Sequence, residues 1–466
     1  MGVGISNWRL ARAVSRLGHL GVVSGTALDQ LLVRRLQDGD PGGAMRRSLA
    51  RFPIPAIAQR VFDTFYVPGG KAAADAYPTL PLPAPDRSAA FDELCIVANF
   101  VEVNLAREGH DHPVGINYLE KVQIPHLPSL YGAMLAGVGF VLMGAGIPTK
   151  IPGALDRLAR HEAAEYPLHV IGEAAGATVM TFDPRAVTGV ALPPLARPAF
   201  LAIVSSEVLA RTLQKKSNGR VDGFIVEGPT AGGHSAPPRG QMQLNGRGEP
   251  VYGDRDRVDL EGMRALGLPF WLAGGYGTPE RLAEALAAGA AGVQVGSAFA
   301  LCRESGLRDD YRRALLAAAR AGTARVFNDP QASPTGFPFK VAAVTGTLSE
   351  ADVDRARPRI CDLGYLREPF RAADGALAFR CPSEPVSVYR SKGGAEAATE
   401  GRKCVCNALI ANVGHPQIRA GRHVEPGLVT LGEDLSGIAR FVAPGARDYA
   451  AADVIAVLTG GTPAVS

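Results

Sequence analysis

Three small-residue stretches, one histidine and four cysteines carry most of the residue types here that could bind or transform a ligand. The run Phe270-Trp-Leu-Ala-Gly-Gly-Tyr-Gly-Thr-Pro-Glu280 ends an apolar segment in Gly274, Gly275 and Gly277. Thr278 and Pro279 then supply a helix N-cap and a first-turn proline. About fifteen residues on comes Gly292-Val-Gln-Val-Gly296-Ser297. Two consecutive apolar segments thus end in backbone without side chains, which lets a phosphate approach the amide N–H groups. The loops after strands 7 and 8 of an α/β barrel are a common phosphate site. The same glycines would also serve turns that need positive φ. No GxGxxG at a strand–helix junction and no Walker lysine is present, so dinucleotide and P-loop folds are disfavoured.

The third stretch is Asp222-Gly-Phe-Ile-Val-Glu-Gly-Pro-Thr-Ala-Gly-Gly-His234. A strand runs into a small-residue loop that ends in one histidine. Small residues allow a planar ligand to lie against backbone while His234 faces it. Histidine titrates near neutrality, so it can move a proton or steady a developing anion. Cys361, Cys381, Cys404 and Cys406 follow the spacing C-x19-C-x22-C-x-C. A zinc ribbon would show two CxxC pairs, but the CxC element still places two thiolates close together. A zinc site is one reading of these four, and ordinary thiols the other. Cys95 and Cys302 have no neighbour in sequence and read as core.

The elements that must position these residues alternate. Apolar runs at 20–24, 114–118, 138–143, 200–204, 222–227, 270–273 and 292–295 read as strands, most of them followed by a helical segment. That alternation predicts a parallel sheet, and its count favours a (β/α)8 TIM barrel. Residues 54–110, rich in proline, read as a long insertion after barrel helix 2, and residues from about 330 onward have mixed character. The chain has 466 residues, 47% of them hydrophobic, and 49 basic against 45 acidic side chains leave it at +4. This balance gives no reason to expect nucleic acid or a membrane as partner. No run of 18 apolar residues exists, and six cysteines do not make a disulfide framework, so the cytoplasm is the expected compartment. The first residues fit a myristoylation pattern, and Arg9, Arg12 and Arg16 with no acid before Asp29 resemble a transit peptide. The reading adopted is an amphipathic helix from Trp8 to Leu17 within a folded domain.

With these motifs in place, most of residues 1–345 resembles the FMN-dependent nitronate monooxygenases, formerly 2-nitropropane dioxygenases. The related flavin enoyl reductases that act in trans on polyketide and polyunsaturated fatty acid synthases are included. Ala231-Gly-Gly-His234 matches the family's AGGH loop, and Gly274-Gly275 and Gly296-Ser297 match its FMN phosphate loops. Ser333-Pro-Thr-Gly-Phe-Pro-Phe-Lys340 resembles the synthase-associated branch. The resemblance implies His234 as the catalytic side chain. It implies Gly25, Thr26, Asn117, Gly232, Gly233, Gly274, Gly275, Gly277, Gly296 and Ser297 as cofactor contacts. It implies an FMN barrel over 1–345, with the insertion at 54–110, and an extension over 346–466 that holds the cysteines. The implied substrate is a small nitronate oxidised with O2. The alternatives are an acyl thioester reduced with NAD(P)H, delivered by an acyl carrier protein or synthase, and a non-catalytic flavoprotein partner.

Three departures accompany the match. Relatives begin with an apolar strand ending in Met-Gly, so barrel strand 1 is expected to be mostly lacking and the gene's start to lie upstream of Met1. Many nitronate monooxygenases carry a lysine near the end of strand 5, where this chain has Ile203-Val-Ser-Ser206. His234 is followed by Ser-Ala-Pro-Pro rather than glycine.

Overall fold

A computed structural model describes residues 2–463. Its centre is a seven-stranded sheet in which every neighbouring pair is parallel. In chain order the strands are Gly21–Ser24, Val114–Leu119, Phe140–Gly144, Ala199–Val204, Gly223–Glu227, Phe270–Ala273 and Gly292–Gln294, and they lie side by side in that same order. Helices Leu28–Gln37, His126–Leu135, Ile151–Ala159, Glu207–Lys216, Leu260–Ala265, Pro279–Ala287 and Asp309–Arg320 lie between or after them.

Side-chain alternation shows that this sheet curls. Successive residues of a strand point to opposite faces. Leu142, Leu201, Ile225 and Ala273, one from each of four adjacent strands, form a small cluster of their own, joined by Val22, Ile203 and Trp271. Their neighbours Val141, Met143, Phe200, Ala202, Phe224, Val226 and Leu272 belong instead to the large helix-side core. An inner cluster enclosed by strands and an outer one under helices is the layering of an α/β barrel.

The first and seventh strands are the two edges of the sheet. Residues ahead of helix Trp8–Arg16 join the first strand to the loop after helix Ser297–Ala300: Ser24 N donates to Ser6 O at 2.8 Å and Gly306 N donates to Ile5 O at 2.8 Å. Met1 lies outside the described residues, and with it the expectation about the start of the chain. Helix Trp8–Arg16 forms where the amphipathic pattern placed it, capped by the Asn7 side chain.

The proline-rich stretch after the first strand is largely helical, with Pro55–Phe65 and the 18-residue helix Ala89–Ala106. The second of these is buried on almost every face. A helix apolar all round shows no 3.6-residue stripe, which is why its pattern is unreadable in sequence. It packs on His126–Leu135 so closely that a Cβ at Gly132 would fall onto the Ile96 carbonyl. No described helix is long and apolar enough to cross a membrane.

Residues beyond 345 pack into the same interior. Val405, Ala408, Ile410 and Leu428 belong to the large core. Val429, Leu431, Phe441, Tyr449 and Val454 join helix Asp309–Arg320 and Leu10 in a second one. A buried ion network supports this region: Arg357 and Arg419 both pair with Glu425, and Arg419 also pairs with Asp362. Tyr365 Oη donates to the buried Asp29 Oδ2 at 2.5 Å, which ties the region to helix Leu28–Gln37.

Gly132→Ala is expected to wedge the two helices apart and to lower unfolding free energy by ~1–3 kcal/mol, the usual range for overpacking. Urea unfolding followed by circular dichroism measures this. An unchanged midpoint would mean that the two helices are free to separate.

Candidate active site

A cavity of about 350 Å³ lies at the carboxyl ends of the strands. That is within the range of small-molecule and cofactor sites. The first five strands deliver wall residues from their carboxyl ends or the loops that follow. Thr26 comes after the first strand, Asn117 from the second, Gly144–Gly146 after the third, Ser205 after the fourth, and Glu227, Gly232, Gly233 and His234 from the fifth. Thr26, Asn117, Gly232, Gly233 and His234, expected from sequence to meet a ligand, are thus brought together. Gly25 does not line the opening. A Cβ there would stand 2.5 Å from the Tyr118 ring, so the glycine serves packing under the cavity floor.

His234 is held by a segment that is distant in sequence. Its Nε2 is 2.6 Å from Ser333 Oγ, and Ser333 Oγ is 2.8 Å from Thr335 Oγ1. The ring packs edge-on against Phe339, with centroids 4.8 Å apart. The backbone completes the fit: Ser235 N donates to Pro338 O and Lys340 N to Gly233 O, both at 3.0 Å. The stretch 333–340, a turn leading into strand Phe339–Ala342, therefore clamps the histidine loop, and Phe337 and Phe339 add to the cavity wall. Burial lowers the His234 pKa to about 3, with the Lys121 ammonium acting in the same direction. The ring is neutral at physiological pH.

Glu227, at the end of the fifth strand, is one of two acids in the wall, the other being Asp256. Burial raises its pKa to about 7, against the pull of the Lys340 ammonium. The sequence reading passed over it, although a lone acid closing an apolar run at a barrel strand's carboxyl end is a usable signal. It also passed over Lys340, whose side chain is 0% exposed. Lys340 Nζ donates to Pro229 O and pairs with Glu433, each at 2.7 Å. Near the end of the fourth strand, where the resemblance led to the expectation of a lysine, the Arg239 guanidinium donates to Ser205 O at 3.2 Å and lines the cavity.

The paired glycine loops stand elsewhere. Gly274, Gly275, Gly277, Gly296 and Ser297 follow the sixth and seventh strands, with Thr278 capping helix Pro279–Ala287 as expected, yet none of the five lines this cavity. The reason is a return of the chain. Gly432 N donates to Ser297 Oγ at 2.8 Å, Gly233 N to Thr430 Oγ1 at 2.8 Å, and Glu433 N to Thr230 O at 3.1 Å. Segment 430–433 therefore runs between the AGGH loop and Ser297. A Cβ at Gly232 would meet its backbone at 2.7 Å. Gly296 faces open space, with nothing within 4 Å of the Cβ position, and Gly275 has φ +78°.

The C-terminal region also supplies Tyr365, Leu366, Val405, Cys406 and Leu409 to the cavity wall. No local pattern marks these residues, because only long-range packing brings them there. Cys361, Cys381, Cys404 and Cys406 gather round a second, much smaller cavity. Among the described residues, however, no group of three or more His, Cys, Asp or Glu side chains is arranged to hold a metal. The thiols converge, but not as the ligand set that zinc requires.

Residues 170–328 match the family described as nitronate monooxygenase. A nitronate monooxygenase of Pseudomonas aeruginosa is 36% identical over 179 residues, 38% of this chain and 46% of that protein. A (3aS,4S,5R,7aS)-5-hydroxy-7a-methyl-1-oxo-octahydro-1H-indene-4-carboxyl-CoA dehydrogenase of Mycobacterium tuberculosis is 31% identical over 127 residues, 27% of this chain and 32% of that protein. The chain thus spans less than half the length of these curated relatives. The structure of FabK from Thermotoga maritima aligns with a TM-score of 0.46 at 16% identity, over 98% of this chain and 88% of that one. The matched stretch 170–328, similar in sequence to the nitronate monooxygenase family, is the one that supplies Glu227, His234 and the glycine loops.

Proposed function

We propose that this chain is an FMN-dependent oxidoreductase that oxidises alkyl nitronates with O2 in the cavity at the strand ends. The observation that carries the reading is the neutral His234, fixed through Ser333 in the wall of a cofactor-sized cavity. The residues fit the flavin ring: glycine backbone at Gly232 and Gly233, Thr26 and Asn117 as polar contacts, and aromatic side chains at Phe337 and Tyr252. Gly275, Gly296 and Ser297 would hold the phosphate, since open space at Gly296 leaves its backbone approachable. FMN, when bound, supplies the electron transfer from substrate and on to O2.

The chain's own part is to handle charge and protons. With Nε2 engaged by Ser333, Nδ1 is the His234 atom left to face a ligand. The tautomer protonated at Nδ1 donates a hydrogen bond to an anionic nitronate. The tautomer protonated at Nε2 offers the Nδ1 lone pair to the α-proton of a neutral nitroalkane. Protonation of Glu227 below about pH 7 removes one carboxylate charge from beside His234.

A second reading is favoured by the apolar flank of the cavity, to which Val122, Ile147 and Leu209 contribute from the barrel and Leu366, Val405 and Leu409 from the C-terminal region. Such a wall suits an acyl chain. In this reading NAD(P)H is the donor, an enoyl thioester presented by an acyl carrier protein or synthase is the substrate, and His234 steadies the enolate. A flavoprotein that binds FMN without turnover is the third reading. Anaerobic stopped-flow on the FMN-loaded protein separates them. Bleaching by propionate 3-nitronate but not by NADPH is expected. Bleaching by NADPH alone favours the reductase, and bleaching by neither favours the silent partner.

His234→Ala is expected to retain FMN and to lose ~10²–10⁴-fold in flavin reduction by a neutral nitroalkane, the usual share of general acid–base catalysis. The loss should be smaller for the preformed nitronate, whose proton is already gone. Wild-type rates with both forms would remove His234 from the reaction.

Glu227 governs the pH response. As pH rises through about 7 its carboxyl ionises, so an anionic nitronate meets a like charge and its KM climbs. The expected climb is roughly tenfold, the order of a ~1.4 kcal/mol repulsion. KM measured from pH 6 to 8.5 should stay flat in Glu227→Gln. The same climb in that variant would assign the titration to another group.

A further inference from the structure

The four cysteines have no part in the reaction proposed above. They line one cavity of about 10 Å³, together with Pro334, Leu366 and Arg367. All four are free thiols. A space of that size holds at most one water, so the four residues enclose a single small void. Within the group, Cys361 and Cys381 stand close enough to shift each other's ionisation. Cys361 is half-buried and Cys381 buried, so a reagent reaches Cys361 first.

The two thiols are also unlike in acidity. The Cys381 side chain, aided by the Arg367 guanidinium and opposed by burial, holds Cys361 below the ordinary thiol value. The Cys361 side chain, with burial, pushes Cys381 well above it. A partly exposed, more acidic thiol beside a buried, less acidic one is the arrangement that thiol–disulfide exchange uses. Cys404 is engaged differently, its Sγ accepting from Asn407 Nδ2 at 3.5 Å, and Cys406 also lines the large cavity.

We propose that Cys361 and Cys381 are a dithiol exchange site that closes to a disulfide by reaction with a low-molecular-weight disulfide such as oxidised glutathione. Cys361 Sγ attacks one sulfur of that disulfide, forms a mixed disulfide and expels one glutathione thiolate. Cys381 gives up its proton, attacks Cys361 Sγ and expels the second thiolate. Two protein thiols are oxidised to one disulfide, one glutathione disulfide is reduced to two thiols, and the two protons end on the leaving groups.

The pair is placed where closure reaches the larger cavity. Pro334 in its wall stands between Ser333 and Thr335, the hydroxyls that fix His234. Arg402 Nη1 holds Ser333 O at 2.6 Å, two residues before Cys404. Leu366, Val405 and Cys406 line both cavities. Bonded sulfurs stand ~2.0 Å apart, closer than unbonded ones, so the loops bearing Cys361 and Cys381 must draw together against Pro334.

The test treats the purified full-length chain with oxidised glutathione, then counts thiols in denaturant and maps disulfides by mass spectrometry. Of the six thiols in the sequence, two should be lost, and peptides bearing Cys361 and Cys381 should be found linked. Cys361→Ser and Cys381→Ser should each abolish the link. In the wild type, hydrogen exchange of peptides covering 331–337 should slow at least about fivefold on oxidation, the low end of ordinary coupling between sites. It should be unchanged by the same treatment of Cys361→Ser. Retention of all six thiols, a link through Cys404 or Cys406, unaltered exchange at 331–337, or one tightly held zinc per chain that shields the four thiols would each overturn the proposal. None of these readouts requires FMN.

Discussion

A buried ammonium organises the mouth of this barrel. Lys340 has no exposed side-chain surface, and a cation removed from water persists only where it is paired and hydrogen-bonded. Its two partners come from opposite directions: Pro229 O, which opens the AGGH loop, and Glu433, which ends the returning C-terminal segment. Satisfying Lys340 therefore brings three stretches together, at 229–234, 333–340 and 430–433. The rest follows from that junction. Ser333 meets His234, Phe339 packs on its ring, and Gly432 lies against Ser297.

The same burial that constrains Lys340 sets the chemistry of the cavity. Desolvation penalises the charged form of any titratable group, so it moves a histidine down and a carboxyl up. His234 and Glu227 are shifted in those opposite senses and approach neutrality together. Cations remain at the margins, where Lys121 stacks over Phe337 and Arg239 is held at Ser205. A neutral His234 and Glu227 with the Lys121 and Arg239 cations nearby suit a ligand that is itself anionic, or becomes so during reaction.

The C-terminal region contributes to both the structure and the site. Its residues complete two hydrophobic cores, contribute wall to the large cavity and enclose the thiol cavity beside it. The buried pairing of Arg357 and Arg419 with Glu425 holds it rigidly, because removing one partner would leave an uncompensated charge inside. Residues past 345 and residues of the barrel thus act on the same ligand space.

Much of this was legible in the amino-acid sequence. Short apolar runs separated by helical segments announce a parallel sheet, because strand and helix periods are local properties of the chain. The seven strands lie where those runs are. His234 was recognisable because a barrel strand delivers the residue after it to the ligand-bearing face, and Thr278 and Pro279 because capping is decided within one turn. Helix Ala89–Ala106 was hidden because burial on all sides erases the stripe that marks a helix. The partners of His234, the displacement of the glycine loops from the cavity wall and the meeting of Cys361 with Cys381 were hidden for a different reason. Each joins residues that are far apart along the chain, with separations of 99 for His234 and Ser333 and 135 for Ser297 and Gly432. Local sequence encodes which conformations a segment prefers. Which distant segment satisfies a buried lysine, histidine or thiol is decided only when the chain closes on itself and every buried polar group must find a partner.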